Sequence, residues 1–443
     1  MMTYDRVLPV LLQTCETAPG AAEIERYCVV RDVKGRVRLA IKPVRGSRPS
    51  VTALETMLTT ALGAYFAPPI LSAASGSDVQ RLASRLLEDY ARKWPRGWPR
   101  HFTNLLGGAP SPVDVTRWSG VERTIGKEAW LAGSPPQPPW PRLGTNPPII
   151  TFHSFKGGVG RTTLVAAYAI HLASKGRRVA VIDLDLEAPG VGSLFGVATS
   201  RGVLDVLIDH LATGEIDLEG TNRAPALATT MDAFIQVFPA GQINDEYLAK
   251  LARLDFASGE PGGDNPVSRA LEAMLKALKP SVDVVLLDSR AGLHDLAGLS
   301  LHGLAHVDVL TFRGTEQNLT GLEQTLRTLD ARGAETELVL VETLLPPRED
   351  EFTSRHERTK DRIYSLLLDT TYPEDDPPQR DDVDEPHDVL PVRRKEWLDA
   401  LDSMAGLIDR VLGDDDLRRV AKRLDARCGF LSTDERDESE LES

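Results

Sequence analysis

Cysteine is scarce in this chain: three in 443 residues, at Cys15, Cys28 and Cys428. No two of them form a C-x-x-C pair, so a disulfide scaffold, a zinc site and an iron–sulfur cluster have no framework to build on. Long apolar runs are lacking as well, and no stretch reaches the roughly 18–20 residues that a membrane span needs. The opening MMTYDRVLPVLLQTCETAPG holds an apolar patch with no basic region before it, and does not read as a signal peptide. The nine histidines are scattered without metal-ligand spacing, no Ser-His-Asp pattern supports a nucleophile, and there is no internal repeat. What remains is the composition of a soluble globular protein, 42% hydrophobic and 26% charged. A cytosolic location is the expectation.

Charge is present but uneven. Residues 1–148 carry 19 Lys/Arg against 12 Asp/Glu, a net +7. Residues 149–345 carry 16 against 25, net −9, and residues 346–443 carry 16 against 28, net −12. An acidic balance of this kind argues against one global nucleic-acid surface and leaves a local one possible in the basic first third.

The length suits two or three domains. CVVRDVKGRVRLAIKP (28–43) alternates around Lys34-Gly35 and reads as a β-hairpin. VTALETMLTTALGAYF (51–66) and DVQRLASRLLEDYARKW (78–94) have helical apolar spacing. These place a small α+β module of unassigned role at 1–133. SPPQPPWPRLGTNPP (134–148) has seven prolines in fifteen residues and reads as a stiff linker. From residue 149, near-continuous aliphatic runs alternate with amphipathic ones: IITFHSF, TTLVAAYAIHLASKG, RRVAVIDLDL, DAFIQVFPAG, NPVSRALEAMLKALK, DVVLLDSRAG, HVDVLTFRGT, NLTGLEQTLRTLDARG, TELVLVETLLPP. That alternation predicts an α/β fold with a doubly wound, mostly parallel sheet covered on both faces. This second domain is expected over 149–430, with its core at 149–345. ERTKDRIYSLLLDTTY (357–372) reads as helix. EDDPPQRDDVDEPHD (374–388), with eight acidic residues in fifteen, reads as a solvated loop. HDVLPV offers one more strand. Two helices are expected in a C-terminal extension at 393–428, before an acidic disordered tail at 431–443.

FHSFKGGVGRTT (152–163) is the segment that carries chemistry. It follows a predicted strand and opens a predicted helix, the context a phosphate-binding loop requires. Its glycines, Gly157, Gly158 and Gly160, let the backbone approach phosphate oxygens closely. The N–H groups from Gly157 through Val159 to Thr162, together with the helix N-terminus, can cradle a phosphate chain. The Thr162 hydroxyl is placed for Mg²⁺, and Thr163 for the α-phosphate. Phe155 and Arg161 stand where the usual G-x-x-x-x-G-K-[ST] pattern has its first glycine and its lysine. Three carboxylates complete the constellation. Asp183 and Asp185 in VIDLDLEAPG, and Asp288 in VVLLDSRAG, fall at carboxyl ends of predicted parallel strands, where open α/β sheets bind ligands. Carboxylates there suit the water shell of Mg²⁺ and the positioning of an attacking water.

In this order, KGGVGRTT, VAVIDLDLEAPG, VFPAG and VDVVLLDSRAG resemble the ParA/MinD branch of P-loop ATPases, whose deviant Walker A box reads K-G-G-x-G-K-[ST]. The resemblance covers 149–345 and touches the strand near Leu390-Pro391; it does not extend to 1–133. It implies ATP, Mg²⁺ and a face-to-face homodimer closed by nucleotide. Lys156 matches the signature lysine that reaches the phosphates bound by the partner subunit. Asp185 matches the switch I aspartate tied to hydrolysis, and Asp183 and Asp288 match metal-site carboxylates. DSRAG stands at the switch II loop, with Arg290 placed to feel a γ-phosphate.

Two departures stand out. Arg161 replaces the second lysine; it keeps the charge but is larger, planar and forked, so it can hold β/γ-phosphate oxygens bidentately and slow hydrolysis is the expectation. A variant group of these ATPases carries KGGVGR, and this chain is similar to it. Glu342-Thr343 stands where the family often has an adenine-binding Asn, so no base contact is assigned.

The resulting expectation is an ATP-dependent dimerising switch with weak ATPase activity, coupled to a protein partner through the N-terminal module. A ParA-type DNA-positioning protein is one alternative, set back by the −9 core charge. A catalytically weak nucleotide-sensing scaffold in bacterial defence or signalling is another. RKWPRGWPRHF (92–102), basic and aromatic, suits stacking on single-stranded nucleic acid, but a packed Trp/Pro loop is the preferred reading. The helix RRVAKRLDARCGFL is a poor match to a basic membrane-binding helix and reads as a packing helix. No membrane association is expected.

Overall fold

The computed structural model describes residues 2–73, 77–90, 115–123, 127–131, 137–142, 144–225, 227, 230, 234–254, 265–330, 337–373, 375–383, 385–399, 404 and 406–430. The basic–aromatic stretch at 92–102 and the acidic tail at 431–443 lie outside them. The described residues form two compact units, one within Met1–Gly133 and the other within the chain from Ser134 onward.

In the first unit, β1 (Ile24–Arg31) and β2 (Val37–Pro43) pair antiparallel as the Lys34-Gly35 turn predicts. The turn is held by Asp32, whose Oδ1 accepts the backbone N–H groups of Lys34 and Arg36. β3 (Leu71–Ser72) and β4 (Trp118–Glu122) add parallel to the outsides, giving the order β3-β2-β1-β4. The two-residue period sorts side chains into two cores. Tyr27 and Val29 face the helices Tyr4–Thr17 and Val51–Leu62. Cys28 faces a smaller cluster with Ala83 and Leu87 of helix Ser77–Asp89. The apolar patch of the opening segment is thus the buried face of a helix, carried by Val7, Leu8, Leu11, Leu12 and Cys15. Tyr27 stacks on Trp118 with ring centroids 4.1 Å apart, and Trp118 Nε1 donates to Glu16 Oε1 at 2.8 Å. Burial pushes the Cys15 and Cys28 thiols up, which suits packing and not thiolate chemistry.

The second unit is built on seven parallel strands: β5 (Ile149–His153), β6 (Val179–Asp183), β7 (Ile235–Phe238), β8 (Val284–Asp288), β9 (Val307–Phe312), β10 (Glu337–Leu345) and β11 (Leu390–Arg393). Their order is β11-β10-β9-β5-β8-β6-β7, and every pairing is parallel. Strands β5, β6, β8 and β9 are buried along their whole length, which is why they read as aliphatic runs without alternation. Helix Arg161–Ser174 is buried almost all round, packed in one core with the sheet and with Val420, Ala421 and Leu424 of helix Asp415–Cys428.

Several boundaries differ from the sequence expectation. The helix expected at 357–372 already starts at Glu349 and runs to Thr370. The first C-terminal helix is not continuous. One turn spans Glu396–Asp399 and a second helix spans Ile408–Gly413, with Gly406 at φ +78 between them, a conformation that ends a right-handed helix. The described part of the proline-rich stretch, expected as a stiff linker, carries a buried anchor. Trp140 is buried, its Nε1 donates to the Pro147 carbonyl at 2.7 Å, and its own carbonyl lies 2.9 Å from His306 Nε2. The acidic stretch is likewise tied down. Arg380 pairs with Glu357, Asp361 and Asp381, and His387 is buried with Nδ1 2.6 Å from the Tyr372 hydroxyl. Among the described residues no helix is long and apolar enough to cross a membrane.

Candidate functional site

The site forms where β5, β6 and β8 end. β6 and β8 are neighbours whose register places Asp183 directly opposite Asp288. Phe152 of β5 pairs with Asp288 on its other side. The loop between β5 and helix Arg161–Ser174 therefore lies over both strand ends. Gly158 and Gly160 have φ of +72 and +81, the left-handed region that glycine enters without a Cβ penalty. Gly157 and Gly158 are exposed, so the backbone of the loop is open to a ligand.

Arg161 is the first residue of the helix and is buried, at 7% exposure. Its Nε donates to Asp288 Oδ1 at 2.6 Å and its Nη2 to Asp185 Oδ2 at 3.0 Å. One guanidinium thus spans two carboxylates from two strand ends. The Thr162 hydroxyl takes the other oxygen of Asp288, Oδ2, at 2.7 Å. Asp185 Oδ1 accepts the N–H of Ala188. Asp183 points into its own loop: Oδ1 accepts from Asp185 N, and Oδ2 from Gly190 N and Val191 N, each at 3.1 Å.

Electrostatics follow from this crowding. Burial, then the negative Asp288 alongside, pushes Asp183 up to about 8. Burial also raises Asp288, with Arg161 and Thr162 opposing. Burial works against the charged guanidinium of Arg161, but Asp288 and Asp185 outweigh it and hold Arg161 above its ordinary value. His153, one residue past Phe152, is buried in the core. Burial and the charge of Arg161 hold its imidazole down to about 3, and its Nδ1 lies 3.1 Å from the Arg290 carbonyl.

Lys156 stands apart from this cluster. It is half-buried, and its Nζ lies 5.7 Å from the centroid of the Phe155 ring. Phe155, in the place of the first glycine, is seated against Gly321 of helix Glu316–Asp330. A Cβ on Gly321 would fall 1.9 Å from the ring.

Other contacts of the site were not legible in the sequence. Glu187, two residues after Asp185, forms an ion pair with Arg290, its Oε1 2.5 Å from Nη1, and lies 3.1 Å from His294 Nε2. The loops after β6 and β8 are thereby joined, and Arg290 is turned toward Glu187. Thr343, near the end of β10, donates its one hydroxyl proton toward the Val159 carbonyl at 2.7 Å, with the Phe312 carbonyl 3.1 Å away, and so ties the phosphate loop to β10. Its neighbour Glu342 is fully buried and committed to His356 Nδ1 at 2.8 Å and the Thr359 hydroxyl at 3.0 Å. Behind the loop, buried Asp425 gathers Tyr168 (3.1 Å), His171 (2.8 Å) and Lys175 (2.9 Å), pinning the C-terminal helix to the loop helix.

Comparison with known proteins identifies a family for this part of the chain. The family of the CobQ/CobB/MinD/ParA nucleotide binding domain matches residues 150–412. The septum site-determining protein MinD of Helicobacter pylori is 26% identical over 163 residues, which is 36% of this chain and 50% of that protein. The arsenical pump-driving ATPase of Acidiphilium multivorum is 39% identical over 83 residues, 18% of this chain and 14% of that protein. The chain thus spans half or less of the length of these curated relatives. Among solved structures, MinD of Pyrococcus horikoshii complexed with Mg-ADP is 19% identical, with a TM-score of 0.43, over 62% of this chain and 93% of that one.

Proposed function

The chain belongs to the CobQ/CobB/MinD/ParA nucleotide-binding family, and from that premise we propose that it is an ATP-dependent switch. It binds Mg·ATP at the loop Lys156–Thr163, hydrolyses it slowly, dimerises on binding, and passes its nucleotide state to a protein partner through the unit at Met1–Gly133. The observation that carries this reading is the joint placement of the open glycine loop, Thr162, Asp183, Asp185 and Asp288 at three adjacent strand ends.

The donor set fits Mg²⁺. Thr162 Oγ1 and Asp288 already share a hydrogen bond at 2.7 Å, which places a hydroxyl ligand beside a carboxylate for the metal's water shell, with Asp183 opposite. Among the described residues no group of three or more His, Cys, Asp or Glu side chains forms a metal cage. That suits an ion that takes its remaining ligands from water and phosphate. When bound, Mg²⁺ would neutralise developing charge on the phosphates. Residues 157–162 would supply backbone N–H groups, Thr163 would reach the α-phosphate, and Asp185 would position the attacking water. Lys156 is the one loop cation not drawn into the carboxylate cluster, which supports a role toward the phosphates of a second copy.

Light scattering on the full chain, with and without Mg²⁺ and a slowly hydrolysed ATP analogue, tests this. A monomer that becomes a dimer only with nucleotide, and a Lys156→Ala variant that stays monomeric, is the expected result. One nucleotide-independent species would overturn it.

A further inference from the structure

Helix Asp245–Leu251 follows β7 and buries one side chain, Tyr247. That side chain reaches back 61 positions: its hydroxyl donates to the Leu186 carbonyl at 2.5 Å. Leu186 directly follows Asp185, and among the described residues no other donor reaches its carbonyl. The ring sits in a fixed seat. Gly241 has φ +138, and a Cβ there would stand 3.1 Å from Tyr247 Cε2. Gly202 packs on Gly241 so closely that a Cβ would fall 2.4 Å from its Cα. Glycine at both positions is what lets two backbones and an aromatic ring share this space. The helix itself is tied at both ends. Asn244 Oδ1 accepts from Tyr247 N at 2.9 Å, and Lys250 pairs with Asp205 at 2.6 Å. Asp205 Oδ2 in turn accepts Gly202 N at 2.9 Å.

We propose that Tyr247 is a positioning residue for nucleotide hydrolysis: through the Leu186 carbonyl its hydroxyl fixes the main chain that carries Asp185, and so the direction in which that carboxylate meets the attacking water. The inference rests on the nucleotide-switch reading above, which gives Asp185 that task. Tyr247 acts from behind, through the backbone and not through a contact with phosphate. The bond from Asp185 Oδ1 to Ala188 N lies inside the loop, so it does not stop the loop from pivoting as a body. A bond from a helix seated elsewhere in the fold does. Direction matters for a group that orients water, since a misplacement of about 1 Å costs on the order of 100-fold in rate. Binding of the phosphate chain falls to the loop after β5, which β8 separates from β6 in the sheet. The contribution of Tyr247 therefore falls on turnover and not on affinity.

The test is Tyr247→Phe, which removes the hydroxyl and keeps the ring. Single-turnover phosphate release by the full chain with Mg·ATP is expected to slow roughly tenfold or more. Calorimetric affinity for a non-hydrolysable ATP analogue should change by less than about twofold. A cycle with Asp185→Asn separates positioning from a general effect on the fold. If Tyr247 acts through Asp185, its substitution costs little further rate once that carboxylate is gone; a merely structural contribution would slow both backgrounds equally. Lys250→Met, which frees the helix from Asp205 without touching Tyr247, should give a smaller loss of the same kind. It stands in if the phenylalanine variant does not fold by circular dichroism. Turnover within about twofold of the native chain, or an equal loss in the two Asp185 backgrounds, overturns the inference and leaves the nucleotide reading intact. A native chain that binds the analogue and releases no phosphate would overturn hydrolysis itself, and this role with it.

Discussion

Gly321→Ala is the sharpest test of how the phosphate loop is seated. Gly321 lies inside helix Glu316–Asp330, where alanine ordinarily gains about 1 kcal/mol over glycine. Here the new Cβ would stand 1.9 Å from Phe155 Cδ1 and 2.0 Å from its Cγ. Carbon atoms rest at about 3.5–4.0 Å, so the ring or the helix must retreat by roughly 1.5–2 Å. Forced overpacking of this kind costs about 1–3 kcal/mol, and the depth of the overlap puts it at the upper end. The net expectation is a loss of about 2 kcal/mol. In a Phe155→Ala background the obstacle is gone and the same substitution should stabilise by about 1 kcal/mol. The sign reversal amounts to a coupling of about 3 kcal/mol, which a double-mutant cycle on urea midpoints reads directly. Because Phe155 precedes Lys156 and contacts its ammonium, Gly321→Ala should also weaken nucleotide binding. Equal effects in the two backgrounds would refute the packing argument.

Three further outcomes follow from the same geometry. Asp425→Ala should destabilise by about 1–3 kcal/mol in denaturant titration, because it removes the buried acceptor shared by Tyr168, His171 and Lys175. Thr343→Val keeps the shape but deserts the Val159 carbonyl. It should cost about 1–3 kcal/mol and raise amide hydrogen exchange within the phosphate loop. His153, held at about 3 in the folded chain against an ordinary 6.5, binds its proton more readily when unfolded. Its contribution is whole above pH 6.5 and declines as pH falls toward 3, so His153→Gln should flatten the acid limb of a thermal-stability profile between those values.

What the sequence made legible was whatever is local. The loop, the glycines at positive φ and the aspartates at strand ends each follow from a few consecutive residues, and buried parallel strands announce themselves as aliphatic runs. The strand register then brings Asp183 and Asp288 side by side, which chain order alone could not show. The Arg161–Asp288 pair spans 127 positions, and no spacing rule predicts which anion a buried arginine selects. Asp425 reads as one more acidic residue in a charged helix until His171 and Lys175, a turn apart on another helix, are seen to converge on it. Trp140 was masked by its prolines, whose composition says extended but is silent about where a flanking indole is buried. Glu342 had a legible place, but its commitment to His356 depends on the packing of helix Glu349–Thr370.

Calorimetric titration of the full chain with a non-hydrolysable ATP analogue in Mg²⁺ tests the central claim most directly. One saturable site per chain, lost in Asp288→Asn and weakened in Thr162→Ala, is the predicted result. Absence of binding, or binding that is unchanged in both variants, would contradict a nucleotide site at these strand ends.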